Sequence, residues 1–209
     1  MTRVQALQTR YAFTPPAAYA QLEQQGRFEG ENIVRGALIT SVYLWLQDVK
    51  MWWTAETILN FTPPSHHKDG FIPFASNPAG DFWCWSPERA TEQGVPVIFC
   101  PHDEMIAQVN APHFTGWLYR RILEYAGGQM NKTGEAEARA WLVRWHTDLS
   151  PFLPPVWNET MLRLSQSPLL NWDEAGFAQH GFITPADAQA QIARDLAFAG
   201  LNQEFAWMN

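Results

Sequence analysis

Two short runs hold the side chains best suited to acid–base or metal chemistry: His66 and His67 with Asp69, and His102 with Asp103 and Glu104. A catalytic zinc needs three protein ligands converging at about 2 Å, commonly two His four apart on one helical face with a carboxylate nearby. Adjacent His in a proline-flanked loop do not converge of themselves. Neighbours in a His-Asp-Glu run at a strand end point in different directions, so at most two of them reach a shared ion. The expected reading is two solvated loops without metal, with a metal-dependent hydrolase on His66, His67 and His102 as an alternative. Nucleophilic catalysis has less support. Ser76, Ser86 and Ser165 lack a Gly-x-Ser-x-Gly elbow, and neither Cys84 nor Cys100 lies in a signature pairing it with a His. The turn Ala79-Gly80-Asp81 reads as a strand connection needing positive φ, not as a phosphate cradle. No catalytic residue and no cofactor is expected.

What remains is the chemistry of recognition. Trp52 and Trp53 are consecutive, so a strand or helix does not easily bury both, and one is expected to anchor a partner. Asp69, Asp81, Asp103 and Glu104 are expected at strand ends or loops, where carboxylates can meet Lys or Arg of a partner and speed association. For Asp81, a turn-stabilising role outweighs direct contact.

The composition is that of a folded globular protein: 209 residues, 46% hydrophobic and 17% charged, enough to bury a core without a staple. The 11 Trp residues point mainly to core packing and secondarily to interfaces. The formal charge of −7 is evenly spread, with 9 basic and 12 acidic residues up to position 126 and 5 and 9 beyond it. That leaves no basic face for nucleic acid. It suits a basic partner, although solubility alone accounts for it. The N-terminus lacks the apolar core of a signal peptide, and no stretch approaches the ~20 apolar residues of a membrane span, so a cytoplasmic location is expected. Cys84 and Cys100, in neighbouring predicted strands, read as reduced core residues.

The elements that must position these groups are legible from spacing. Thr14-Pro15-Pro16 predicts a helix capped at Thr14, running to about residue 25 with Tyr19 and Leu22 buried, and stopped by Gly26. Residues 33–46 predict one long strand or a pair bent at Gly36. A short helix behind Thr54 follows, then strands over 71–74, 81–86 and 96–100. Within FWCW, Phe82 and Cys84 face one way and Trp83 and Trp85 the other, so both faces of this strand are apolar and both must be covered. Phe114, Trp117, Leu118, Ile122 and Tyr125 have amphipathic helical spacing, ended by Gly127-Gly128. Beyond that pair only helices are predicted: a stripe of Ala138, Trp141, Leu142, Trp145 and Leu149, a second helix over 156–164, and a third behind Thr184-Pro185, with Ile192 and Leu196 buried. The expected organisation is an α+β module over 1–128, with a mixed or antiparallel sheet flanked by helices, and an α-helical extension over 129–209 packed on it.

In order, FTPPAAYAQLEQQG, WWTAETIL, IPFASNPAGDFWCW, VPVIFCPHDE and FTGWLYRRILEYA resemble the SMI1/KNR4-like (SUKH) family. The resemblance ends near Tyr125. It implies a mixed sheet flanked by helices that serves as a binding scaffold rather than an enzyme. In bacteria it implies an immunity protein that neutralises the cognate toxin of a contact-dependent or secreted polymorphic system, and in eukaryotic relatives a regulatory interaction module. On that reading the partner is a toxin domain, and the protein is a monomer or weak dimer.

Overall fold

The computed structural model describes residues 2–28, 32–35, 38–41, 51–128, 134–174 and 176–209. In chain order they form α1 (Arg3–Tyr11), α2 (Ala17–Gln24), β1 (Asn32–Arg35), β2 (Leu38–Ser41), β3 (Met51–Trp52), α3 (Ala55–Asn60), β4 (Ile72–Ser76), β5 (Phe82–Trp85), a 3-10 turn (Pro87–Arg89), β6 (Val97–Cys100), β7 (Ile106–Ala111) and α4 (Phe114–Ala126). These are followed by α5 (Glu135–Leu149), α6 (Pro155–Gln166), β8 (Leu170–Glu174), β9 (Phe177–Gly181), α7 (Pro185–Asp195) and β10 (Glu204–Ala206). Two compact units are present, Met1–Trp117 with Phe198–Asn209, and Leu118–Ala197. No helix among the described residues is long and apolar enough to cross a membrane.

The architecture is α+β. In the first unit six strands form one sheet in the order β10-β7-β6-β5-β4-β3, and every neighbouring pair is antiparallel. β1 and β2 pair separately as an antiparallel hairpin. Gly36 and the expected continuation of that strand past residue 41 lie outside the described residues. Both faces of β5 are covered, as its apolar alternation requires. On one face Trp85 packs against Phe74, Tyr19, Phe13 and Phe114, with ring centroids 4.5–5.9 Å apart, and Trp83 lies 5.8 Å from Trp117. On the other, Cys84 joins Ile98, Cys100, Ala107, Val109, Trp207 and Met208. Both cysteines are free and buried, and burial together with the neighbouring Cys84 pushes the Cys100 thiol up, which keeps it protonated.

Several expectations about the elements need correction, among them the strand β7, which was not expected. Thr14 does not cap α2. The helix starts after Pro16 without a side-chain cap, and Thr14 Oγ1 accepts from Gln8 Nε2 at 3.0 Å. A residue preceding proline is disfavoured in the helical region, so Pro15-Pro16 delays the start. The stop at Gly26 occurs as expected, with φ of 69° there and the Arg27 amide donating to the Leu22 carbonyl. The region after residue 129 is not helical throughout, since β8 and β9 form an antiparallel hairpin and β10 is an edge strand of the main sheet. Its turn is signalled only by Gly176, at φ 84°, whose amide donates to Asp173 Oδ1. Finally, α1 was not expected, although Thr2-x-x-Gln5 is a capping-box spacing and both reciprocal bonds form.

The second unit buries the predicted stripes except at Trp141, which is half-buried. Ala138, Leu142, Trp145 and Leu149 of α5 are buried with Trp157, Met161 and Leu164 of α6, and Tyr119 stacks on Trp157 at 4.6 Å. Thr184 caps α7 by accepting from the Asp187 amide.

The start of α4 carries a titratable cap. His113 Nδ1 accepts from the Gly116 amide at 3.0 Å and pairs with Thr115 Oγ1 at 2.8 Å, which requires that nitrogen to be unprotonated. Burial holds His113 below its ordinary value of 6.5. Unfolded His113 takes up a proton as pH falls through about 6.5 whereas folded His113 resists, so its contribution is complete above 6.5 and is lost on acidification. Replacing His113 with Asn, a cap that does not titrate, is expected to flatten the fall in thermal midpoint between pH 7 and pH 5. Parallel curves for the two proteins would contradict this role.

Candidate interaction surface

The turn between β4 and β5 brings the first expected site residue into a network. Asn77 Oδ1 accepts from the Gly80 and Asp81 amides, both at 2.9 Å, and Gly80 adopts φ of 104°, which only glycine takes without strain. This folds Asp81 back so that its Oδ2 accepts from Asn77 Nδ2 at 2.6 Å. Its Oδ1 accepts from the His102 amide at 2.8 Å and lies 2.7 Å from His102 Nδ1. Asp81 thus staples the β4–β5 turn to the loop after β6, in line with the turn-stabilising role expected for it. Burial alone raises its carboxyl, but the bonds from the His102 amide, the His102 ring and Asn77 outweigh burial and hold it below its ordinary value. The same ring bond raises His102, against desolvation, and Asp103 adds to the rise.

Asp81, His102 and Asp103 present ligand atoms within 4.8 Å of one another, so the third member of the His-Asp-Glu run's cluster comes from a distant turn. The arrangement fits a shared proton better than a metal. Asp81 Oδ1 already takes two hydrogen bonds. The 2.7 Å separation from His102 Nδ1 is also short of the roughly 3.3 Å that two ligands span around a tetrahedral zinc at 2 Å each. His66 and His67 are outside this group. Their rings meet edge to face at 4.6 Å, and His67 packs on Trp207 at 4.4 Å. Burial, then the neighbouring His66, hold His67 below its ordinary value.

Trp52 and Trp53 are both buried, each 6% exposed, which removes them as exposed anchors for a partner. The sheet is covered on both faces where β3 ends, so consecutive side chains find apolar surroundings on opposite sides. Trp52 stacks on Phe28 at 4.9 Å and meets Trp117 edge-on at 5.3 Å. Trp53 packs on Phe61 and Phe82, and its Nε1 donates to Ser76 Oγ.

The remaining carboxylates are exposed, and the C-terminal segment brings them to one part of the fold. The Lys68 amide donates to the Trp207 carbonyl at 3.0 Å, and Trp207 Nε1 donates to the Glu104 carbonyl at 2.8 Å. Asp69 follows Lys68, and Asp103 precedes Glu104 with its side chain 70% exposed. Asp69, Asp103 and Glu104 therefore lie beside segments tied to Trp207, while Asp81 is joined to them through His102. Trp207 itself was missed from sequence; its one signal is an aromatic alternating with Phe205 near the end of the chain. No family model, no curated protein and no solved structure matches the chain.

Proposed function

We propose that this chain is a cytoplasmic, non-catalytic binding protein of the SMI1/KNR4 type, which neutralises a cognate bacterial toxin by covering its active site or blocking substrate access. The observation that supports the reading most is the order of elements. The segments carrying the resemblance fall in chain order on α2, β3 with α3, the β4–β5 pair, β6 and α4, and up to Trp117 they belong to the first unit. The exposed carboxylates beside Trp207 add a surface suited to Lys and Arg. Co-expression with the product of a toxin gene adjacent to this one is the test. Restored growth and co-purification are expected, and unrelieved toxicity without co-purification would sink the reading. A regulatory module of the same fold would instead show a deletion phenotype with no linked toxin.

A further inference from the structure

We propose that the uncovered corner of the main sheet, where β6, β7 and β10 present Phe99, Ile106, Gln108, Glu204 and Ala206 on one face, docks a protein segment carrying Lys or Arg beside an apolar side chain. This rests on the partner-binding reading and adds where the partner sits and what chemistry it brings. Register defines the face. Trp83 pairs with Phe99, Phe99 with Gln108 and Gln108 with Glu204, and in the next row Ile106 pairs with Ala206. Residues paired across antiparallel strands point to the same side. Along the first row cover is lost steadily: Trp83 is 1% exposed, Phe99 and Gln108 are half-buried, and Glu204 is open. In the second row both residues are exposed, Ile106 at 43%.

The opposite face of the same strands is closed, with Ala107, Val109, Cys100 and Trp207 all buried. One side of β7 is therefore core and the other carries a bare Ile, with Met105 exposed just before it. A β-branched apolar residue beside an edge strand is a liability in a protein that keeps it uncovered.

Charge selects the occupant. β6, β7 and β10 contain no Lys or Arg. Glu204 stands in the face, and Asp103 and Glu104 stand at the entry to β7. Of the nearby cations, Arg89 lies over the Phe205 ring at 3.7 Å, on the face opposite Glu204, Lys68 Nζ donates to the Ala206 carbonyl at 3.1 Å, and His102 is paired with Asp81. A second copy of this chain fits poorly, because a two-fold contact sets the same acidic patch against itself. A basic, partly apolar segment satisfies both the carboxylates and Ile106.

The test uses the full chain and an eight-residue peptide of alternating Lys and Val, with the Glu/Val peptide as its counterpart. The Lys/Val peptide is expected to bind, to perturb the amide resonances of Phe99, Ile106 and Gln108, and to weaken as salt rises. Ile106→Ser and the double variant Asp103→Lys with Glu204→Lys are each expected to lose at least about tenfold in affinity while keeping the wild-type melting temperature. Unchanged affinity in both variants, equal binding of the Glu/Val peptide, or a self-associated chain with this corner buried would overturn the proposal. In the co-expression assay, protection by wild type and equally by the double variant would overturn this surface but leave the toxin-binding reading standing. Failure of wild type itself would remove that reading, and the peptide would still decide the surface.

Discussion

Trp207→Ala is expected to destabilise the first unit by about 3–5 kcal/mol, the usual cost of truncating a fully buried Trp. The side chain is 1% exposed and roofs the cluster of Cys84, Ile98, Cys100, Ala107 and Val109. It also packs against His67 and Phe71, and its Nε1 satisfies the Glu104 carbonyl. Alanine leaves a cavity over an apolar sheet face and strips that carbonyl of its donor. Because the chain has two compact units, a global unfolding curve does not by itself report on the first one. Thiol reactivity separates them, since both cysteines belong to the first unit beneath Trp207. Cys84 and Cys100 should label far faster with a thiol reagent in the variant under native conditions. Wild-type labelling rates together with an unchanged urea midpoint would show that the C-terminal segment is not what closes this face.

Asp81→Ala is expected to cost about 2–3 kcal/mol, because one carboxylate accepts three bonds, one within its own turn and two that join this turn to the loop after β6. The figure is less than the sum of three charge-assisted bonds, since the His102 ring is half-exposed and water screens its share. The pH dependence follows from the directions of the two shifts. The Asp81 carboxyl is held below its ordinary 3.8, so its contribution is present above that value and is lost as pH falls through the lowered one. His102 is raised above its ordinary 6.5, so its contribution is complete below 6.5 and is lost as pH climbs through the raised value. The stability difference between wild type and Asp81→Ala should therefore be greatest between about pH 4 and 6.5 and shrink above it. His102→Gln should remove the shrinkage at higher pH while sparing the backbone bond. A difference independent of pH would mean that the backbone and Asn77 bonds alone hold the turn.

The helical stripes and the β4–β5–β6 run were legible because they are written locally. Apolar spacing of 3.6 or 2 records which face is buried, and Thr54, Thr184 and Gly26 mark ends through their own backbone chemistry. β7 was not visible, because its buried residues Ala107 and Ala111 are small and its exposed Ile106 breaks the alternation. Trp52 and Trp53 misled for a related reason: adjacency forbids burial only when one face of an element meets water, and here neither face does. The Asp81–His102 pair was out of reach because its members are 21 residues apart and meet only once the β5–β6 register brings the two loops together.

By itself the sequence determined that FWCW must be a strand covered on both sides, that an α+β assembly surrounds it, and that acidic groups outnumber basic ones throughout the chain. Only the tertiary structure decided that Trp207 and Met208 close the second face, that His102 is held by Asp81, and that the corner carrying Ile106 and Glu204 is left open. The reason is physical. Burial of apolar surface is non-directional, so a two-faced strand states how much cover it needs but not which segment supplies it. That choice depends on where the chain returns, and hydrogen-bonding partners far apart in sequence follow from the same path.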